Sequence, residues 1–474
     1  MRTSLVGVTK LNDFTVLQWL VLVQHELLLF AGVFFLIGAV DELCVDFAWL
    51  WLKVTGRAIT ERYDADSADQ HRLNGPAAVF IPVWQEAAVI GTTIKHMLSV
   101  WRHDRLRLYV GCYRNDPQTT AAVIAAANGD SRLRLVIHDC NGPSTKADCL
   151  NRLHRGLETD ELRARRRAKF VVLHDAEDMV DRAALTLLDR AVGKADLAQI
   201  PVLAMPQANS RWIGSHYTEE FAEAHGKAMV VRNALGVGLP LAGVGCAIAR
   251  ETIDTLAKSQ PDQVPFRPDC LTEDYELGLG VGALGGTSKF VRMRHPDGSL
   301  VATRAFFPSQ LDQSVRQKTR WVHGIAFQAW DRLGWSGSPA EIWMRLRDRR
   351  GPFTALVLAV AYALLILSAL GWGLGNLGYG ETIELSPLLR TILVLNFISF
   401  LWRASWRFAF TAREFGAVEG VRAIIRIPIA NIIAIMAGRR AFWAYLKTLA
   451  GGTVRWDKTD HLSHPALHAS GAVG

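Results

Sequence analysis

The sequence predicts an α/β protein: a mostly parallel sheet covered by helices on both faces, joined to transmembrane helices. Three observations carry this reading. Short β-rich runs alternate with helical stretches from Asp64 to about Gly324, and such alternation builds parallel sheets. An apolar run from Trp19 to Val40 matches the about 20 residues that a bilayer requires. A second run, TALVLAVAYALLILSALGWGLGNL at 354–377, is apolar throughout.

The N-terminal run is interrupted by Gln24, His25 and Glu26, so the hydrocarbon span is expected to begin near Leu27. It lacks a small-residue cleavage site, and Asp41 and Glu42 follow it directly; it reads as a retained anchor rather than a signal peptide. The stretch FAWLWLKV, with Trp51, then reads as interfacial, because Trp favours headgroup depth. The expected strands are AAVFIPV (77–83), RLRLYVGCY (105–113), RLRLVIH (132–138), KFVVLHD (169–175) and QIPVLAMP (199–206). Ligands of such sheets bind beyond the carboxyl ends of the strands. After Arg350 the chain turns apolar again. TILVLNFISFLW (391–402) is short and bracketed by Arg390 and Arg403, so it spans only if those arginines snorkel. RIPIANIIAIMAGRR (426–440) reads as interfacial or re-entrant. The expected parts are an anchor with an interfacial helix at 1–63, a catalytic domain at 64–330, membrane and interfacial helices at 331–450 and a tail at 451–474.

Charge orients these parts. RLRDRR (345–350) precedes one span, the following loop GNLGYGETIELSP has no Lys or Arg, and Arg403, Arg407, Arg413 and Arg422 follow the next. The positive-inside rule then puts the large domain and the tail in the cytoplasm. The whole chain carries 53 Lys and Arg against 45 Asp and Glu, a mild excess that suits anionic lipid, nucleotide phosphates or nucleic acid. The run RARRRAK (163–169) reads as a solvated or membrane-facing surface, so no nucleic-acid partner is expected. The six cysteines form no CxxC pair, which excludes the usual zinc and thioredoxin spacings.

Several short stretches could carry chemistry. In LHDAEDMV, strand residues lead into Asp175, Glu177 and Asp178. Acids at a strand end suit Mg or Mn, which prefer oxygen ligands and usually also hold phosphates; an acidic helix cap explains them as well. In NGPSTKADCLNRL, Lys146 opens a helix, where free N–H groups favour a diphosphate. The P-loop spacing is absent, and an exposed first-turn Lys is the plainer reading. In LTEDYELGLG, Glu273 and Asp274 start a helix; such a carboxylate can take a proton from a hydroxyl, although the helix dipole also favours acids there. Gly280, Gly282 and Gly285 match GxGxxG, but a helix precedes them where a dinucleotide loop needs a strand. In PVWQEAAVI, Pro82 ends a strand and Glu86 enters a helix. Gly243 and Gly245 allow close backbone approach to a substrate, or simply a tight turn. In QKTRW, Gln317, Arg320 and Trp321 share one helical face.

Taken in order, PVWQE, KADCLN, DAED, TED and QxxRW resemble the motif series of membrane-bound, processive-type family 2 glycosyltransferases. DELCVD, NDPQT, GPSTKADCLN, HDAED and WDKTDH resemble more narrowly the bacterial phage-adsorption protein B group. The resemblance implies a GT-A fold and an inverting hexosyltransferase that uses a UDP-sugar, of N-acetylhexosamine type in the first reading. It implies that Pro82, Glu86 and Tyr113 flank the uracil and that Lys146 and Asp175 face the diphosphate. Asp175 with Glu177 or Asp178 would bind the divalent metal, and Asp274, beside Glu273, would be the general base. Gln317, Arg320 and Trp321 would hold the acceptor end and leaving group, with Gly243 and Gly245 near the acceptor. The second acid of the DxD element is Glu here, and Tyr113 stands where a second nucleotide-binding Asp is usual, with Asp116 further on. The implied setting is the bacterial inner membrane, in contact with lipid, a growing exopolysaccharide and an outer-membrane export or phage-receptor partner. A non-processive transferase onto a lipid-linked acceptor, and an inactive membrane scaffold, are the alternatives.

Overall fold

The computed structural model describes residues 15–64, 66–67, 71–376, 385–452 and 463–469. WDKTDH at 456–461 and most of the loop after residue 376 lie outside the described residues. Two compact units divide the chain: Met1–Cys44 with Phe353–Ser405, and Val45–Pro352 with Trp406–Gly474. This division differs from the expected boundaries because long helices run through them. Val16–Val54 is one helix, so the interfacial stretch around Trp51 continues the anchor without a break. The helix Pro387–Phe415 likewise runs on well past the short apolar stretch at 391–402.

The strands are β1 (Glu61–Arg62), β2 (Ala77–Pro82), β3 (Leu106–Tyr113), β4 (Leu133–His138), β5 (Phe170–Leu173), β6 (Leu197–Gln199), β7 (Val202–Ala204), β8 (Cys246–Ala249), β9 (Ser288–Phe290), β10 (Met293–Arg294) and β11 (Thr303–Ala305). Seven form the main sheet in the order β4-β3-β2-β5-β8-β6-β9. All its pairings are parallel except those of β8. The sheet is buried on both sides, as continuous apolar runs such as Ala77–Ile81 require. Trp101, Ile90, Ile94 and Met97 cover one face, and Leu150, Leu153, Leu157 and Ile253 the other. The residues on the helix Lys146–Ala164 recur at helical spacing, so a single stripe meets the sheet.

The expected strand 199–206 is two strands in different sheets. Pro201 separates β6 from β7, and proline has no N–H for the ladder. β7 instead pairs with β11. The stretch read as a glycine turn contains β8, which runs antiparallel beside β5.

In the first unit, Ala31, Val357 and Leu364 pack with neighbouring apolar side chains. Polar contacts join its helices as well. Asn396 donates to the Gly32 carbonyl at 2.8 Å, Gln24 to Ser368 Oγ at 2.9 Å, and Arg403 pairs with Glu42 at 2.9 Å. Three helices, Gln18–Val54, Gly351–Gly373 and Pro387–Phe415, are long and apolar enough to cross a membrane. The helices Ala417–Ile425 and Ile427–Leu449 meet at a bend of 51°. The bend falls at Arg426, whose guanidinium is buried against Glu219 and Glu419, each at 2.9 Å.

Candidate active site

A cleft opens at the carboxyl ends of β2, β3 and β5, and residues from Pro82 to Trp321 line it. At its centre, Lys146 Nζ lies 2.6 Å from Asp175 Oδ1 and 3.6 Å from Glu273 Oε1. Lys146 is the first residue of its helix; Thr145 caps that helix by accepting the Asp148 N–H at 3.2 Å. Asp175 follows β5, and Glu273 and Asp274 open the helix Glu273–Ala283. Three segments distant in sequence therefore deliver one ammonium and three carboxylates to one place. Burial opposes the charge on Lys146, but Asp175, Glu273 and Asp274 together raise its pKa. Burial pushes Glu273 up to about 7 and raises Asp274, while Lys146 pulls both back.

The cleft collects nearly all the expected residues. Pro82, Glu86, Tyr113, Glu177, Gln317, Arg320 and Trp321 line it with the central group. Gln317, Arg320 and Trp321 sit on the helix Leu311–Val322. Trp321 packs against Tyr217, Phe221 and Phe307. That helix passes into a π-helical segment, His323–Gln328. A Cβ at Gly324 would lie 2.4 Å from Thr272 Oγ1, so the missing side chain lets this segment approach the TED turn.

Three of the expected residues have further structural partners. Asp178, weighed against Glu177 as a cation ligand, is buried and already committed. Its Oδ2 lies 2.7 Å from His174 Nδ1 and accepts the Asp175 N–H at 3.0 Å. It braces the loop that presents Asp175, and Glu177 lines the cleft beside it. Gly243 and Gly245 also shape the site. Both have positive φ, at 76° and 61°. A Cβ on Gly243 would meet Asp274 Oδ2 at 2.7 Å, and one on Gly245 would meet Thr303 Oγ1 at 2.5 Å. Their neighbours Ala242 and Val244 line the cleft.

Asp116, noted in sequence only as lying beyond Tyr113, and Trp84, not singled out there, also contribute. Asp116 accepts the Gln85 N–H at 2.6 Å and caps the next helix through Thr119. Thr119 Oγ1 in turn accepts the Glu86 N–H at 3.0 Å. Asp116 thus holds the loop carrying Glu86, with Gln85 at φ 54°. Trp84 packs edge-on to Tyr113 at 5.2 Å, and the Tyr113 hydroxyl bonds Ser144 Oγ at 2.6 Å. Gly142 fits under both rings, since a Cβ there would lie 2.6 Å from Trp84. Trp84 inside PVWQE was the available signal.

Among the described residues, no group of three or more His, Cys, Asp or Glu is placed to hold a metal. Mg is usually bound by one or two carboxylates together with substrate phosphates. Asp175 with Glu177 fits a metal that arrives with a diphosphate, not a cage built by protein alone.

A family profile described as glycosyltransferase like family 2 matches residues 75–324. The chain belongs to glycosyltransferase family 2. The match spans β2 through the QxxRW helix, the region that carries the motif series. The family 2 domain has the GT-A architecture, with its cleft at the carboxyl ends of a mostly parallel sheet. Bacteriophage adsorption protein B of Escherichia coli (strain K12) is 31% identical over 412 residues, covering 81% of this chain and 54% of that protein. Bacteriophage N4 adsorption protein B of Escherichia coli O157:H7 gives the same figures. The chain thus spans about half the length of these relatives. A mannosyltransferase from Pyrobaculum calidifontis, solved in complex with GDP-Man and Mn2+, overlays with a TM-score of 0.49 at 15% identity, covering 86% of this chain and 99% of that one.

Proposed function

We propose that this family 2 member transfers a sugar from a UDP-sugar, with inversion, onto a growing polysaccharide at the cytoplasmic side of a bacterial inner membrane. The observation that carries this reading is the meeting of Lys146, Asp175, Glu273 and Asp274 in the cleft that also holds Gln317, Arg320 and Trp321. Asp274 takes the proton of the acceptor hydroxyl. The acceptor oxygen bonds to the anomeric carbon as that carbon's bond to UDP breaks, and UDP leaves with the electron pair. Lys146 and Arg320 offset the charge that gathers on the diphosphate. Asp175 and Glu177 are the residues that would hold Mg or Mn, which supplies further positive charge to the diphosphate when bound. Pro82, Glu86 and Tyr113, braced by Asp116 and Ser144, flank the base of the nucleotide.

The aromatic wall of Phe221, Phe307 and Trp321, backed by the buried Tyr217, suits the apolar face of a sugar ring at the acceptor end and favours a glycan acceptor. The names of the two phage-adsorption relatives motivate a further part of this proposal: the polymer is passed to an outer-membrane partner that phages exploit. The test is UDP release by the purified full chain from a panel of UDP-sugars, N-acetylhexosamine types included, with and without divalent metal. Metal-dependent release is expected, and Asp274→Asn should abolish it in a protein that still folds. Full activity in that variant would sink the assignment of the base.

A further inference from the structure

A second charged cluster lies outside the cleft, with the opposite balance. β1 pairs with β10, which brings the chain just after the long N-terminal helix against Arg292–Arg294. Residues two apart on an extended chain point the same way, so Arg292 and Arg294 project together. Both reach Glu414, Arg292 at 3.4 Å. Arg292 also donates to Thr60 Oγ1 at 2.8 Å, and Arg294 to the Gly298 carbonyl at 2.6 Å. The Arg292 side chain is only 7% exposed, yet among the described residues its Nε has no hydrogen-bond partner, and neither has that of Arg294. Lys53, which donates to the Ala58 carbonyl at 2.5 Å, feels the charges of Arg292, Arg413 and Arg294. Three arginines thus feel the carboxylate of Glu414, and Lys53 feels the three arginines. Burial and then Arg294 push Arg292 down to about 10, with Glu414 opposing. Buried guanidinium N–H groups without acceptors are costly, and a planar fork of donors matches phosphate oxygens.

The surroundings say where such an anion comes from. Lys53 lies at the end of the long N-terminal helix, beside Trp51 and Val54, which are 62% and 85% exposed. Arg413 precedes the helix Ala417–Ile425, whose Val418, Val421 and Ile425 are also exposed at helical spacing. Outward Trp and aliphatic side chains beside cations are the signature of the lipid interface. We propose that Lys53, Arg292, Arg294 and Arg413 form a binding site for the phosphate headgroup of an anionic phospholipid. Lys53 and Arg413 stand at its mouth, and Arg292 and Arg294 form its floor. Bound lipid would neutralise the cluster and fix β1 and β10 to the membrane surface. The site is separate from the transfer cleft and does not depend on the activity proposed for it.

The probe is phosphatidylglycerol, added to the detergent-solubilised full chain and counted by native mass spectrometry, with phosphatidylcholine as the uncharged comparison. Each Lys or Arg near an anionic headgroup is worth about fivefold in affinity. The double variant Lys53→Gln with Arg413→Gln should therefore retain roughly 25-fold less phosphatidylglycerol. Lys53→Arg should retain it as the wild type does, and it guards against a variant that merely fails to fold. Equal retention of the two lipids by the wild type would overturn the proposal, as would undiminished retention by a folded double variant. Displacement of phosphatidylglycerol by millimolar inorganic phosphate would assign the cluster to a free anion and overturn the lipid reading.

Discussion

The cleft and the Lys53 cluster are opposite solutions to buried charge. In the cleft, one ammonium, Lys146, faces Asp175, Glu273 and Asp274. In the cluster, Lys53, Arg292, Arg294 and Arg413 gather with one carboxylate, Glu414, which pairs with Arg292 and Arg294. The surplus sign differs, and so does the ligand each place calls for. A surplus of carboxylates beside a lysine suits a diphosphate that arrives with a cation. A surplus of guanidinium groups beside exposed Trp and Val suits an anion delivered by a membrane. The two regions also differ in how they are built. The cleft draws on strand ends and helix starts, whose positions the sheet enforces. The cluster draws on the ends of two long helices and one short strand pair.

The comparison can be broken from either side. The largest effect is expected at Asp274. Asp274→Asn should lower sugar transfer by about 10^3-fold, the scale of a lost general base, measured as UDP release at saturating donor. Next comes Lys146→Met, which strands three carboxylates. It should cut transfer by about 10^2-fold and cost about 3 kcal/mol of stability, read by denaturant unfolding. If stability is unchanged, Lys146 does not balance the cleft. Trp321→Ala should raise the acceptor KM about tenfold, in keeping with the loss of an aromatic contact, and leave UDP affinity unchanged by calorimetry. Loss of UDP binding would move Trp321 to the donor side.

The smallest effect is a displacement of the pH profile. Burial raises the Glu273 and Asp274 carboxyls, so the pair holds a proton at a higher pH than an ordinary carboxyl does. A base must be deprotonated to act. Transfer should therefore fall as pH drops through this raised range, and recover above it. Glu273→Gln removes a neighbouring negative charge and should move the acidic limb to lower pH. A limb that stays in place would show that the two carboxyls do not titrate together.

Much of the site was legible because its residues are tied to element ends. Asp175 follows a run of apolar strand residues, Lys146 follows a Thr cap, and Glu273 and Asp274 open a helix. Each is a local pattern, and the order of the patterns identified the family. Asp178 was not separable from Glu177 by sequence, since both follow the same strand. Only the packing shows that Asp178 turns inward to His174. Asp116 reads as an ordinary helix cap, and its hold on Gln85 spans a contact 31 residues apart in sequence. β8 was hidden because four residues beside glycines carry too little periodicity to stand apart from a turn.

By itself, the sequence determined the parallel strands β2 to β5, the long apolar helices and the chemical types available at those strand ends, because these follow from periodicity, caps and hydropathy over short windows. Tertiary structure decided which acids share Lys146, which glycines make room for Asp274 and Thr303, and which arginines gather around Glu414. Those outcomes depend on distances between segments that are not neighbours in sequence. Charge balance is a sum over neighbours in space, and a linear pattern does not contain that sum.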